Sequence, residues 1–415
     1  MIEFKKSVLD NGMSLIVEHD ESTSLAAVNI LYKVGSRDES PDKTGFAHLF
    51  EHLMFGGTPN APDFDTPLQM AGGENNAFTN NDYTNFYNVL PAQNIETALW
   101  LEADRMTNLA INNNSLEIQK KVVIEEFKEV CLNKPYGESW HHMSDLAYKK
   151  HSYRWPTIGL NLSHIEQAHL EDVQSFYERY YNPSNCVLSV SSPISPDKVI
   201  EMVSRRFGDI EAGFKQQNQS EIEPPQNEFR YKCVRQNVPS PLVMLSFHMP
   251  GRLDDSFYAI DILTELLANG KSSRLYSSLV KEKQLLSFVN CYVTGNIDPG
   301  LLVIEARPMP GHSAEDCVAA IWAELERVKR EVIPDRELQK LKNKIISSLV
   351  MSDVSILNKA ISMAYYEGLG RLDIMNSQEE LYEKVTGQQL HHTANTLFVK
   401  ENLCQLDYLP LAGTD

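Results

Sequence analysis

Three side chains able to hold a metal or move a proton fall within five residues of one apolar stretch. They are His48, Glu51 and His52, in GFAHLFEHLMFGG over residues 45–57. Phe46, Leu49, Phe50, Leu53 and Met54 recur at threes and fours, which predicts a helix, and the bracketing glycines suit its ends. On a helix His48 and His52 stand one turn apart on one face. That is the geometry for gripping one ion with two imidazoles. Two core histidines satisfied by hydrogen bonds are the plain alternative, and a His-x-x-Glu-His cluster on an apolar helix argues against it. A catalytic zinc site usually takes three protein ligands and leaves a fourth position for water. Zinc acidifies that water and polarises a scissile carbonyl. Glu51, three residues past His48, can approach the same opening without binding metal. A carboxylate there can take the proton of the water and pass it to a leaving amine.

The third ligand is sought in SLEIQKKVVIEEFKEV, residues 115–130, which offers Glu117, Glu125, Glu126 and Glu129. At about 100° per residue, Leu116, Val122, Val123, Phe127 and Val130 form an apolar stripe. Glu126 falls inside that stripe, Glu129 at its edge and Glu125 outside. A carboxylate on a buried face must be neutralised, paired or bound to metal, so Glu126 fits the ligand. Glu129 stays open as an alternative ligand or as a group orienting a histidine. Glu125 reads as a solvated charge.

The elements that must position these residues follow from periodicity and turn signals. An opening hairpin turning at Asn11-Gly12 precedes a strand ending at Gly35. Beyond the His48–His52 helix, Gly72-Gly73 reads as a turn and residues 77–90 as a strand. Helices are expected near 95–107, 115–130, 139–150, 168–180 and 196–207, with a strand at CVLSVSS. The polar stretch from 214 to 227, with its Pro-Pro, is the best linker in the chain. After it come strands at LVMLSFHMP, GLLVIEARPMP and LCQLDYLP, with helices at 254–268, 313–329, 335–350 and 356–367. Both halves close on the same pattern, YYNPSNCVLSV and LFVKENLCQLDYL, which suggests a duplication. The expected architecture is α+β: two similar domains, each a mainly antiparallel sheet covered by helices. Their bounds are 1–213 and 228–415, with 214–227 the linker.

At 415 residues the chain is long enough for more than one core. Its net charge of −18 disfavours nucleic acid and anionic membrane as partners. The six cysteines lie far apart with no Cys-x-x-Cys, so neither a disulfide framework nor a thiolate metal site is indicated. No stretch reaches the roughly 20 apolar residues that span a bilayer, and the start lacks the apolar core of a signal peptide. The expected location is the cytoplasm.

GSRDE followed by TGFAHLFEHLMFGG resembles the inverted zinc signature of the M16 (pitrilysin/insulinase-like) metallopeptidases. VVIEEF resembles the family's second zinc segment and GGENNAFT the strand that lines its cleft. HSYRWPTIGLNLSHIEQAHLEDVQSFYERYYNPSN and NGKSSRLYSSLVKEKQLL are similar to its short two-domain subunits, of the mitochondrial processing peptidase beta type. The resemblance implies a LuxS/MPP-like metallohydrolase fold and a zinc endopeptidase with one Zn2+ per chain. It places the ligands on His48, His52 and Glu126 and the general base on Glu51. Asn76 and Ala77 would hold substrate backbone as an added strand, and Phe78 would line a side-chain pocket. A strand is in any case a suitable peptide receiver, since its backbone binds without regard to sequence.

Two departures from the family pattern stand out. Gln119 occupies a place where many relatives carry glutamate near the distal ligand. Val280 and Ser287 fall where longer relatives present an Arg and a Tyr to the substrate, and neither can stabilise an oxyanion as Arg or Tyr would. The family closes two such subunits, or two fused halves, into a chamber around peptides. The resemblance therefore implies a heterodimer with a homologous non-catalytic subunit supplying Arg and Tyr, with a homodimer as the alternative. The competing class is a non-catalytic subunit of an M16-like assembly.

Overall fold

The computed structural model describes residues 2–215 and 220–411. Its strands are β1 (Phe4–Val8), β2 (Ser14–His19), β3 (Leu25–Tyr32), β4 (Glu74–Thr79), β5 (Thr84–Pro91), β6 (Cys186–Ser192), β7 (Arg230–Gln236), β8 (Leu242–Met249), β9 (Leu286–Val293), β10 (Gly300–Pro308) and β11 (Leu403–Pro410). They form a six-stranded sheet, β1-β2-β6-β3-β5-β4, and a five-stranded sheet, β7-β11-β8-β10-β9. Every pair is antiparallel except β2–β6 and β7–β11. The fold is thus α+β with two mainly antiparallel sheets, as expected.

Leave out β1, and the two sheets have one topology. β2, β6, β3, β5 and β4 correspond to β7, β11, β8, β10 and β9, with the single parallel pair in the same place. The closing motifs correspond atom by atom. The Asn185 side chain donates to Tyr180 O, five residues back, and to Lys33 O just after β3. Asn402 donates to Leu397 O, five residues back, and to His248 O on β8.

The compact units are not the contiguous stretches 1–213 and 228–415. One comprises the described residues of Met1–Phe127, Trp155–Ser220 and Leu349–Gln378; the other those of Lys128–Arg154, Glu221–Ser348 and Glu379–Asp415. Residues 216–219 of the expected linker lie outside the described residues. The physical reason for the exchange is that each central strand is buried on both faces, and so needs a cover on each side. On β3, Ala26, Val28, Ile30 and Tyr32 join the main core of the first unit. Ala27, on the opposite face, packs with Ile356 and Ala360, from a helix over Ile356–Gly368. Lys359 of that helix is tied to Glu18 and Asp20 at the end of β2, all three being largely buried. In the second unit, Leu242 and Met244 of β8 pack with Met143, Leu146 and Ala147, from a helix over Ser139–Ala147.

The helices around the site are α1 (Phe46–Leu53), α2 (Asp65–Met70), α3 (Ile95–Asn108) and α4 (Asn113–Phe127). The strand expected over 77–90 is two strands. Asn80 turns the chain: its side-chain oxygen accepts from the backbone N–H of Asp82 and Tyr83, the local bond that lets Asn compete with a sheet ladder. β4 consequently pairs only with β5 and forms an edge of the sheet. Among the described residues no single helix is long and apolar enough to cross a membrane.

Candidate active site

α1 buries Phe46, Ala47, Leu49, Phe50 and Leu53, the face its spacing predicts. Gly45 precedes it at φ +89°, a backbone that favours glycine. The Glu39 carboxylate receives the first free N–H groups of the helix, at 2.9 Å from Gly45 N and 2.8 Å from Ala47 N. That satisfies two of the orphan donors, while burial raises the Glu39 pKa well above the usual carboxylate value, opposed by these same two backbone hydrogen bonds. His48, Glu51 and His52 lie at the margin of the buried face, half-buried.

α4 packs against α1 and brings Glu126 to the two imidazoles. His48 Nε2 and His52 Nε2 lie 3.3 Å apart, and Glu126 Oε2 is 3.7 Å from the first and 3.3 Å from the second. A tetrahedral ion with bonds of about 2.0–2.2 Å has ligand–ligand edges of about 3.3–3.6 Å. The three atoms therefore already stand near the corners one ion requires, and two imidazoles with one carboxylate are a zinc donor set. His48, His52 and Glu126 form the metal-capable cluster among the described residues. Burial, and then the neighbouring His52, push the His48 pKa down to about 4. His48 is thus the neutral imidazole a metal takes.

Glu51 lies outside this triad and against the end of β4. Burial raises its pKa; hydrogen bonding from Thr79 and the nearby His52 oppose that, and Glu126 adds to it. β4 itself carries Asn76, exposed, and Ala77 and Phe78, half-buried. The Ala77 N–H is met by the side-chain oxygen of its neighbour Asn76 at 2.8 Å. The Phe78 ring meets Tyr83 edge-on at 5.9 Å between centroids.

Other expected neighbours are not gathered in. Glu129 is exposed, on a short π-helical turn over Lys128–Leu132. Gln119 is half-buried, and neither residue hydrogen-bonds either histidine; His48 Nδ1 is buried without a hydrogen-bond partner. The apolar stripe of α4 is also narrower than its sequence suggests. Leu116, Val123 and Phe127 are buried, whereas Val122 is 44% and Val130 38% exposed. Glu126 sits at the margin of the face. In the second unit, Val280 lies on a π-helical turn over Tyr276–Glu282, and the exposed Ser287 donates to Arg307 O and Pro308 O. Sequence reasoning passed over Glu39 and Thr79. An acid a few residues before a helix start was a readable signal for the first; nothing local marks the second.

The first part of the chain, residues 14–158, matches the family model of insulinase, peptidase family M16. Residues 167–345 match that of the peptidase M16 inactive domain. A zinc protease of Helicobacter pylori, PqqE, is 32% identical over 344 residues, spanning 80% of this chain and 76% of that one. The crystal structure of a protease from Helicobacter pylori superposes with a TM-score of 0.94 at 28% identity, covering 99% of this chain and 100% of that one. Fold, metal-capable triad and relatives together define a zinc metalloprotease. The chain belongs to the M16 family.

The expected cytoplasmic location is corrected. The first half of PqqL, a periplasmic protease of Escherichia coli, shares the fold with a TM-score of 0.79 at 17% identity, covering 98% of this chain and 92% of that one. Across the whole of PqqL this chain matches 48% of the length. The fold therefore serves outside the cytoplasm, and the lack of a long apolar stretch does not assign a compartment.

Proposed function

We propose that this protein is a zinc endopeptidase that hydrolyses short or unfolded peptides inside a chamber completed by a second subunit. In this reading it resembles the beta subunit of the mitochondrial processing peptidase. His48, His52 and Glu126 hold one Zn2+. When bound, that ion supplies Lewis acidity toward the scissile carbonyl and lowers the pKa of water. Glu51 accepts the proton of the attacking water and returns it to the departing amine; its raised pKa suits a group that must hold a proton between the two steps. The peptide lies along β4 as an added strand, paired with the backbone of Asn76 and Ala77, with a side chain set against Phe78. The sheet built within 1–213 and its helices carry these residues, and the sheet built within 228–415 repeats the topology without a zinc site, each sheet covered in part by a helix from outside those bounds.

The observation that carries the reading is the placing of Glu51. Its carboxyl is hydrogen-bonded by Thr79 at the end of β4 and interacts electrostatically with His52 and Glu126 of the metal-capable triad. The partner is a family-like chain supplying the Arg and Tyr that Val280 and Ser287 cannot replace. Purified protein with zinc and a mixed peptide library, read by mass analysis of the products, tests the activity; repeating it with the candidate partner tests the pairing. Zinc bound without cleavage under either condition would favour a non-catalytic subunit instead.

A further inference from the structure

The segment GSRDE, residues 35–39, enters neither the metal triad nor the peptide strand, yet it touches the supports of both. At its end, Glu39 is buried and receives the two N–H groups at the start of α1. At its beginning, the loop is bound to the β4–β5 turn. Ser36 N donates to Asn80 O at 3.1 Å and Arg37 N to Asn81 O at 2.9 Å. Arg37 Nη1 lies 2.9 Å from Asp82 Oδ1, with 12% and 5% of the two side chains exposed. A Cβ added to Gly35 would fall 2.5 Å from the backbone of Asn81 and Asp82, so the two backbones meet where only glycine fits. The loop is braced from behind: Trp155 Nε1 donates to Ser36 O, and Gly35 N donates to Asp38 Oδ2.

We infer that residues 35–39 act as a clasp that sets the metal-bearing helix and the peptide-receiving strand in register, with Glu39 and Arg37 as positioning residues. Glu39 fixes where α1 begins, and hence where His48, Glu51 and His52 project. Arg37 fixes the tip of the hairpin, and hence the height of β4 beside Glu51. Only Asp38 separates the two grips, Ser36–Arg37 and Glu39, so α1 and β4 are tied through a short, braced span. Coupling of this kind matters because small misplacement of a bound group costs rate steeply. The inference rests on the proposed peptide strand, and its test includes readings that need no peptide.

The two arms of the clasp make different predictions. Arg37→Ala frees the hairpin: amide exchange at residues 76–82 quickens, KM rises about tenfold (one contact of 1.4 kcal/mol), and zinc affinity by chelator competition stays within about twofold of the parent. Glu39→Gln sets an amide donor against a backbone donor. Zinc affinity then falls about tenfold, the lower end of what is lost when groups orienting metal ligands are removed. KM for the zinc-loaded variant moves less than in Arg37→Ala. Arg37→Lys restores most of KM by keeping the charge beside Asp82. Exchange and zinc affinity are read on the folded protein without substrate, so a chain that cleaves no peptide still tests the clasp. If both variants lower the melting temperature but leave zinc affinity, KM and local exchange of the folded fraction unchanged, the loop is only structural and the inference is overturned. An equal fall in zinc affinity from both variants would overturn the division of labour between its two ends.

Discussion

The helix after β3 and the helix after β8 occupy the same step of the same topology, and their chemistry is opposite. α1 interrupts its apolar face with His48, Glu51 and His52, all half-buried at the margin. Its counterpart over Phe257–Leu267 buries Phe257, Ala259, Ile260, Ile262, Leu263, Leu266 and Leu267. Its two carboxylates are both paired, Asp261 accepting a bond from Tyr382 at 2.6 Å and Glu265 lying against Lys344. The fold is therefore satisfied by an apolar helix at this step. The two imidazoles and the carboxylate of α1 are not needed to build the sheet, and their cost in burial is explained by the metal and the proton they can handle.

The sharpest way to break that comparison is to remove the chemistry from α1. His52→Ala is expected to abolish tight zinc binding while leaving the circular dichroism of the parent, since the counterpart helix folds without histidine. Glu51→Gln is expected to keep zinc and lower kcat by at least about 10²-fold, the usual range of a general acid–base group being 10²–10⁴. Zinc lost from Glu51→Gln and kept by Glu126→Gln would reverse the two roles.

The next effect falls on the other helix. Leu263 is fully buried, and Leu263→Ala is expected to cost about 2–5 kcal/mol of stability by opening a cavity. The folded fraction should keep its zinc affinity. A denaturant titration with and without zinc separates the two quantities, and a large fall in affinity would show that the metal site depends on the core of the second unit.

How far sequence could reach is visible in the same elements. The apolar spacing of 46, 49, 50 and 53 made the buried face of α1 legible, with the three polar residues at its edge. Helical phase led to Glu126, but for a partly mistaken reason: it assumed Val122 and Val130 were buried, and both are substantially exposed. What brings Glu126 to the histidines is the packing of α4 on α1, which is a long-range fact. The Asn80–Asp82 turn was written in its Asn-Asn-Asp and overlooked because aromatic residues flank it on both sides. β7, RYKCVRQ, is a polar edge strand whose burial merely alternates between half-buried and exposed, too weak a period to stand out. The exchange of residues 128–154 and 349–378 between the units has no local signal, because each covering helix is amphipathic whichever sheet it meets.

A smaller effect tests the duplication. Asn185 and Asn402 make the same two bonds in the two units. Replacing either with Ala leaves carbonyl oxygens without that donor, at about 1–3 kcal/mol. Similar losses from Asn185→Ala and Asn402→Ala, by urea unfolding, are expected. A loss in one and none in the other would make the shared motif a coincidence of sequence.

The smallest effect expected is in acid, and it distinguishes how the two sheets are covered. The Ile356–Gly368 helix is held to its sheet by charge: Lys359, and then Ser22, hold the Asp20 carboxyl down at about 2, against an ordinary 3.8. The Ser139–Ala147 helix instead offers its sheet mainly uncharged acceptors: Arg230 donates to Leu146 O and Ala147 O, Ser246 to the Met143 sulfur, and the His248 ring meets Ala147 O. A carboxyl whose pKa is lower folded than unfolded gives stability that is complete above the unfolded value. That stability is lost as pH falls from about 3.8 through about 2. The difference in unfolding free energy between the parent and Asp20→Asn should therefore be constant from pH 5 to neutrality and shrink between about pH 4 and 2. Met143→Leu, in the other unit, should give a difference that does not change over the same interval, because no titrating group is removed. A pH-independent penalty for Asp20→Asn would mean that the carboxylate works by shape and hydrogen bonding alone, and that the two covering helices are held by the same kind of force.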